Sequence, residues 1–196
     1  MTHSAFPAIG CLLMAAGSAQ RFGENKLSMR LGGSTLIERS LLAVPNALFA
    51  RLVVVTQYDV VEQLARAHGF EVIRNDRPDL GVSHTIRLGT EAMRACDAIL
   101  YMVADQPLLT RTTVSHIVEV WRKNTAKIVG AGHDGVRGNP NIFPARFFPE
   151  LLELQGDRGG NQVIRRHEDD FLLVETPPEE LFDCDTPEAL RALERR

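Results

Sequence analysis

The stretch LLMAAGSAQRFGENKL, residues 12–27, decides how this chain is read. It begins as a buried-type apolar run, continuous with Ile9, and passes directly into small residues, Ala15, Ala16, Gly17, Ser18 and Ala19. It then meets two cations, Arg21 and Lys26. Short apolar runs closed by turn residues read as strands of a buried sheet. A strand that opens into a loop without large side chains lets an anion approach the backbone N–H groups. The spacing G-x5-G-x2-K from Gly17 to Lys26 is neither the P-loop GxxxxGK[ST] nor the dinucleotide fingerprint GxGxxG, so it marks another kind of nucleotide loop.

Outward from that stretch, strand and helix patterns alternate. Ile9–Ala15, Leu52–Thr56, Phe70–Ile73, Ala98–Val103 and Lys127–Ala131 read as buried strands. Between them lie helices at Thr35–Val44, Val60–His68, Ser83–Ala95 and Thr112–Lys123, the last with Val114, Ile117, Val118 and Trp121 on one face. The alternation predicts an α/β, Rossmann-like three-layer fold with a mostly parallel, doubly wound sheet, whose ligands sit beyond the carboxyl ends of the strands. After Gly132 the rhythm breaks into GHDGVRGNPNIFPARFFP. Helices follow at Phe147–Leu154, near Asn161–His167 and from Thr186. No composition shift marks a second domain, so residues 1–196 are expected to form a single domain, with 132–170 an elaboration covering the strand ends.

Composition removes several classes of function. A net charge of −3 and a pI of about 6.1 give no whole-chain reason to bind nucleic acid or an acidic membrane surface. The sequence has no basic leader and no run of about 18 apolar residues, which points to a cytoplasmic protein without a membrane partner. Cys11, Cys96 and Cys184 lack disulfide or zinc spacing, and the six histidines lack HxxxH or HExxH spacing. No Ser-His-Asp or Cys-His constellation is apparent.

Two acidic turns complement the loop. VADQPLLT, 103–110, places Asp105 at the end of a strand that Pro107 cannot extend. DCDTPEAL, 183–190, places Asp185 just before the terminal helix, where it would either support the helix start or face the crevice. Two carboxylates opposite a phosphate loop suit Mg²⁺, which takes few carboxylates and completes its octahedron with phosphate oxygens and water. In this reading Asp105 and Asp185 hold the metal, and Arg21 and Lys26 meet the remaining charge of the phosphate.

Taken together, Ala15-Ala16-Gly17 with Arg21-Phe22-Gly23 and Lys26, then Asp105-Gln106-Pro107, GNPNIF, GDRGGNQVI and Asp183-Cys184-Asp185-Thr186-Pro187 resemble nucleotidyltransferases of the molybdenum cofactor cytidylyltransferase type. The resemblance runs over nearly the whole chain. It implies transfer of CMP from CTP to the phosphate of molybdopterin, with release of pyrophosphate. The product would be the cytosine dinucleotide cofactor, made for a molybdenum hydroxylase of the xanthine dehydrogenase type. It also implies Arg21, Lys26 and Asp105 as catalytic residues. The nucleotide would meet Ala15, Ala16, Gly17, Ser18, Arg21, Lys26 and Asp105, with Gly81 and Ser83 near the cytosine and ribose. Asn139, where such enzymes often carry His, and Arg158 would face the acceptor. The chain departs from the usual pattern at Ala19, at His84-Thr85 and in GDRGGNQ. Two other readings stand beside it: a guanylyl- or sugar-phosphate nucleotidyltransferase, and a non-catalytic protein that delivers cofactor to a hydroxylase.

Overall fold

The computed structural model describes residues 7–17 and 25–194. In chain order the elements are β1 (Ile9–Ala15), the two-residue strands β2 (Arg30–Leu31) and β3 (Ser34–Thr35), α1 (Leu36–Leu42), β4 (Arg51–Thr56), α2 (Asp59–Ala67), β5 (Glu71–Arg74), α3 (Val82–Ala92) and β6 (Ala98–Val103). There follow α4 (Arg111–Lys123), β7 (Ile128–His133), β8 (Val136–Pro144), α5 (Phe148–Leu152), α6 (Asn161–Arg166), β9 (Phe171–Glu175) and α7 (Pro187–Glu194).

Seven strands form one sheet in the order β5-β4-β1-β6-β8-β7-β9, and β2 pairs with β3 in a separate small hairpin. β1 runs parallel to both β4 and β6, β4 is parallel to β5, and β7 is parallel to β9. Period-two alternation divides the apolar residues between the two faces. Cys11, Leu13 and Ala15 of β1 pack with Ile37, Val61, Ile117 and Trp121 from α1, α2 and α4. Leu12 packs on the opposite face with Ile86, Leu151 and Val163 from α3, α5 and α6. This is the expected three-layer, mostly parallel α/β fold.

The chain moves from β1 out to β4 and β5, then returns to place β6 on the other side of β1. That reversal opens a crevice at the carboxyl ends of β1 and β6, the place where such sheets bind ligands. Among the described residues, no helix is long and apolar enough to cross a membrane.

The segment after Gly132 does more than cover strand ends. Residues 136–144 form β8, which lies inside the sheet, antiparallel to both β6 and β7. Its irregular composition disguised it for a physical reason. Pro140 lies beyond the last pair with β6, Tyr101 with Asn141, and within the break in register facing Gly130 to Gly132 of β7. A residue without an N–H costs nothing where the ladder is interrupted. From Asn141 onward the alternation is regular, with Ile142 on one face and Phe143 on the other.

Candidate active site

Ala15 closes β1, and Ala16 and Gly17 follow it. Their carbonyls are tied down by the last residue of the neighbouring strand β4 and the two that follow it. The Thr56 hydroxyl donates to the Ala15 carbonyl (3.0 Å), the Gln57 amide to the Ala16 carbonyl (2.8 Å) and the Tyr58 hydroxyl to the Gly17 carbonyl (2.9 Å). Because a trans peptide sets its N–H opposite its C=O, these bonds turn the N–H groups of Ala16 and Gly17 away from Thr56 and Gln57. A Cβ built on Gly17 would meet no atom of the described residues within 4 Å. Packing among the described residues therefore does not demand glycine there.

Lys26 begins a short helical turn anchored by the buried Leu27 and capped by Asn25, whose side chain accepts the Leu27 N–H (3.1 Å). Its ammonium donates to Asp105 Oδ2 (2.8 Å) and to Asp185 Oδ1 (2.9 Å). One cation thus joins three segments far apart in sequence. The Cys184 N–H donates to the Asp105 carbonyl (2.8 Å), which fastens the 183–185 turn beside the end of β6. Gln106 donates to Asp183 Oδ1 (3.0 Å) on the same turn.

The electrostatics follow from this crowding. Desolvation acts to lower the Lys26 pKa, but the Asp105 and Asp185 carboxylates outweigh it and hold the ammonium above its ordinary value. Desolvation, then the negative charge of Asp105, pushes the Asp183 carboxyl upward. Asp105 Oδ1 is buried and has no hydrogen-bond partner among the described residues. A hard divalent cation would satisfy an unpaired carboxylate oxygen beside two further acidic oxygens, so the donor set fits such a cation.

Two cavities open on this edge. One, of about 180 Å³, is lined by Ala15, Ala16, Gly17, Lys26 and Asp105, with Val82 and Thr85 of α3 opposite. The other, of about 330 Å³, is lined by Tyr101 and Phe143 on the sheet and by Asn139, Asn141, Arg158 and Arg165. Met14, Val82 and Val103 belong to both walls, so the cavities adjoin across the ends of β1 and β6. The structure therefore brings together Ala15, Ala16, Gly17, Lys26, Asp105 and Asp185, and sets Asn139 and Arg158 in the neighbouring space.

Gly81 and Ser83 line neither cavity. Gly81 has φ +79°, and a Cβ on it would fall 2.5 Å from the Gly156 backbone. Ser83 is buried; its N–H donates to the Gly156 carbonyl (3.1 Å) and its hydroxyl to that of Leu80 (3.4 Å). Both residues hold the start of α3 against the 156–160 segment. Ser18, Ala19 and Arg21 lie outside the described residues.

Sequence reasoning did not find Thr56, Gln57, Tyr58 or Thr85. Thr56 is the last residue of β4 and Gln57 and Tyr58 follow it, as Ala16 and Gly17 follow Ala15, so a strand end marked them once β4 is known to lie beside β1.

Comparison with known proteins places this geometry. Residues 11–171 match the model of the MobA-like NTP transferase domain. The purine catabolism protein PucB of Bacillus subtilis (strain 168) is 25% identical over 191 residues, covering 90% of this chain and 91% of that protein. The molybdenum cofactor cytidylyltransferase of Escherichia coli (strain K12) is 22% identical over 186 residues, covering 92% and 93%. Among solved structures, a nucleotidyl transferase from Methanothermobacter thermautotroptrophicus superimposes with a TM-score of 0.81 at 23% identity, over 96% of each chain.

Proposed function

Because the chain belongs to the MobA-like NTP transferase domain family, we propose that it transfers CMP from CTP to the terminal phosphate of molybdopterin. An oxygen of the acceptor phosphate attacks the α-phosphorus of CTP, the bond from that phosphorus to the bridging oxygen breaks, and pyrophosphate leaves. The observation that carries this reading is the Lys26 ammonium held on Asp105 and Asp185 beside the open loop Ala15–Gly17, with a second cavity adjoining.

Each part of the site has a task in that reaction. The N–H groups of Ala16 and Gly17 receive phosphate oxygens of the nucleotide. Lys26, with Ser18 and Arg21 of the same loop, takes the triphosphate, and the two cations neutralise the leaving pyrophosphate. Asp105 and Asp185 would hold Mg²⁺, which would supply Lewis-acid neutralisation of charge on the phosphates. Asn139 and Arg158 orient the acceptor, so that the 132–170 region of this single domain forms the acceptor wall. Val82 and Thr85 face the nucleotide where Gly81 and Ser83 were expected, and those two act by fixing α3. The phosphate is itself an adequate nucleophile, so alignment and charge neutralisation suffice without a covalent intermediate. The product serves a molybdenum hydroxylase of the xanthine dehydrogenase type.

The choice of CTP is supported by Ala16, whose methyl narrows the nucleotide cavity, and by the name of the Escherichia coli relative. The test is pyrophosphate release from each of the four NTPs, with and without molybdopterin. Release from CTP that depends on molybdopterin is expected. Release from GTP instead would transfer the assignment to guanylyl transfer, and release from none would favour cofactor delivery without catalysis.

A further inference from the structure

The ammonium of Lys26 stands within hydrogen-bond distance of one oxygen from each carboxylate, 2.8 Å from Asp105 and 2.9 Å from Asp185. A divalent ion held by the same two carboxylates would stand close to that ammonium, where the two cations repel, and the ammonium already neutralises much of the negative charge that would attract the ion. Yet the reaction proposed above uses both cations at once. Resting on that reading of the site, we propose that Lys26 is the positioning residue that holds Asp105 and Asp185 together and closed to a divalent ion until a triphosphate draws its ammonium away.

The local structure supports such a movement. The Lys26 backbone is fixed by the Asn25 cap and by Leu27, which is buried in the core. Movement is therefore confined to the four-carbon side chain, a flexible stem ending in a point charge. Its carboxylate partners differ. Asp105 is held at the end of β6, with a side chain 23% exposed, whereas that of Asp185 is 58% exposed. The Cys184 N–H already fastens the turn that carries the exposed acid, and Lys26 turns the Asp185 side chain toward the fixed one. Once a triphosphate offers its own anionic oxygens at the Ala15–Gly17 loop, Lys26 exchanges carboxylates for phosphate, and the two acids are left adjacent, unneutralised and ready for an ion.

Two consequences have opposite signs. Removing the Lys26 charge should weaken triphosphate binding but strengthen binding of the free ion. By linkage, ion and triphosphate should also promote each other's binding, and part of that coupling should vanish with the ammonium.

The experiment is a titration of the full chain with Mn²⁺ alone, followed by electron paramagnetic resonance, for the wild type, Lys26→Met and Lys26→Arg. Lys26→Met should bind Mn²⁺ more tightly by on the order of ten- to a hundredfold, since two facing carboxylates lose the cation between them. Lys26→Arg should stay near the wild type, and Lys26→Met combined with Asp105→Asn should lose the gain. Unchanged melting curves establish that the variants fold, and Lys26→Gln replaces the Met variant if that one does not. Mn²⁺ binding no tighter in the neutral variant than in the wild type would overturn the proposal. Because the titration contains neither acceptor nor nucleotide, its outcome is independent of the CTP and molybdopterin assignment, which the pyrophosphate assay tests separately.

Discussion

Asp185→Asn separates the two roles that a carboxylate at the start of a terminal helix can have. The structure gives the capping role to the next residue: the Thr186 hydroxyl accepts the Ala189 N–H (3.1 Å). What Asp185 itself makes is the ion pair with Lys26, and its side chain is 58% exposed. Pairs that exposed contribute about 0.2–1 kcal/mol. For a chain of this size each kcal/mol moves the melting temperature by roughly 2–4 °C, so the substitution should lower Tm by no more than about 4 °C. The chemistry should respond differently. Losing one of two charges that hold a divalent ion at the reacting phosphates should reduce kcat by on the order of a hundredfold, the scale of a main electrostatic stabiliser. The apparent Mg²⁺ requirement should rise as well. Calorimetric melting and pyrophosphate release over a Mg²⁺ series measure the two effects in one preparation. Wild-type turnover at wild-type Mg²⁺ would remove Asp185 from the metal site. A fall in Tm far beyond 4 °C accompanied by lost activity would make it a structural residue, and the reasoning from exposure would fail.

Gly17→Val should leave the melting temperature near the wild-type value, because a Cβ there meets no atom of the described residues within 4 Å. CTP binding measured by calorimetry should nonetheless drop by tenfold or more, as the added side chain fills the space proposed for phosphate; unchanged affinity would place the nucleotide elsewhere. Arg158→Ala should raise KM for molybdopterin while leaving KM for CTP within about twofold, since Arg158 lines the larger cavity and not the smaller. A shift in both constants would refute that division. Ala16→Gly should narrow the preference for CTP over GTP, which one methyl can set at about 10–200-fold. Equal use of the two nucleotides by the wild type, measured as kcat/KM, would remove Ala16 as the discriminator.

The fold was legible where one physical signal dominated. β1 and β6 were bounded by apolar runs that end at small or polar turn residues, and their limits, Ile9–Ala15 and Ala98–Val103, agree with the structure. α4 was equally plain, since Val114, Ile117, Val118 and Trp121 all turn inward. β8 was not legible, because its first half carries Gly138, Asn139 and Pro140 in succession and its pairing is interrupted there. The strand is specified by its neighbours β6 and β7, which single-sequence periodicity does not contain. β9 was missed for a related reason: FLLVE is a short apolar run at the sheet edge, and only Val174 of it is buried.

The site shows the same division between local and long-range information. Asp105 could be chosen from residue type two residues past the end of β6, and Lys26 from its spacing after Gly17 and Gly23. Helical phase decided the α3 contacts differently. From a helix beginning at Val82, the residues sharing its face are three and four further on, Thr85 and Ile86, and these line the cavities. Ser83 stands about a hundred degrees around the helix from Val82 and turns toward Leu80 instead. The Thr56-Gln57-Tyr58 ties required knowing that β4 is adjacent and parallel to β1, so that both chains leave the sheet at one edge. Asp185 required more still: an alternative cap at Thr186 and the position of a lysine 159 residues away. A local reading leaves that aspartate divided between supporting a helix and binding an ion, and the Lys26 contact with Asp105 and Asp185 together turns it toward the crevice.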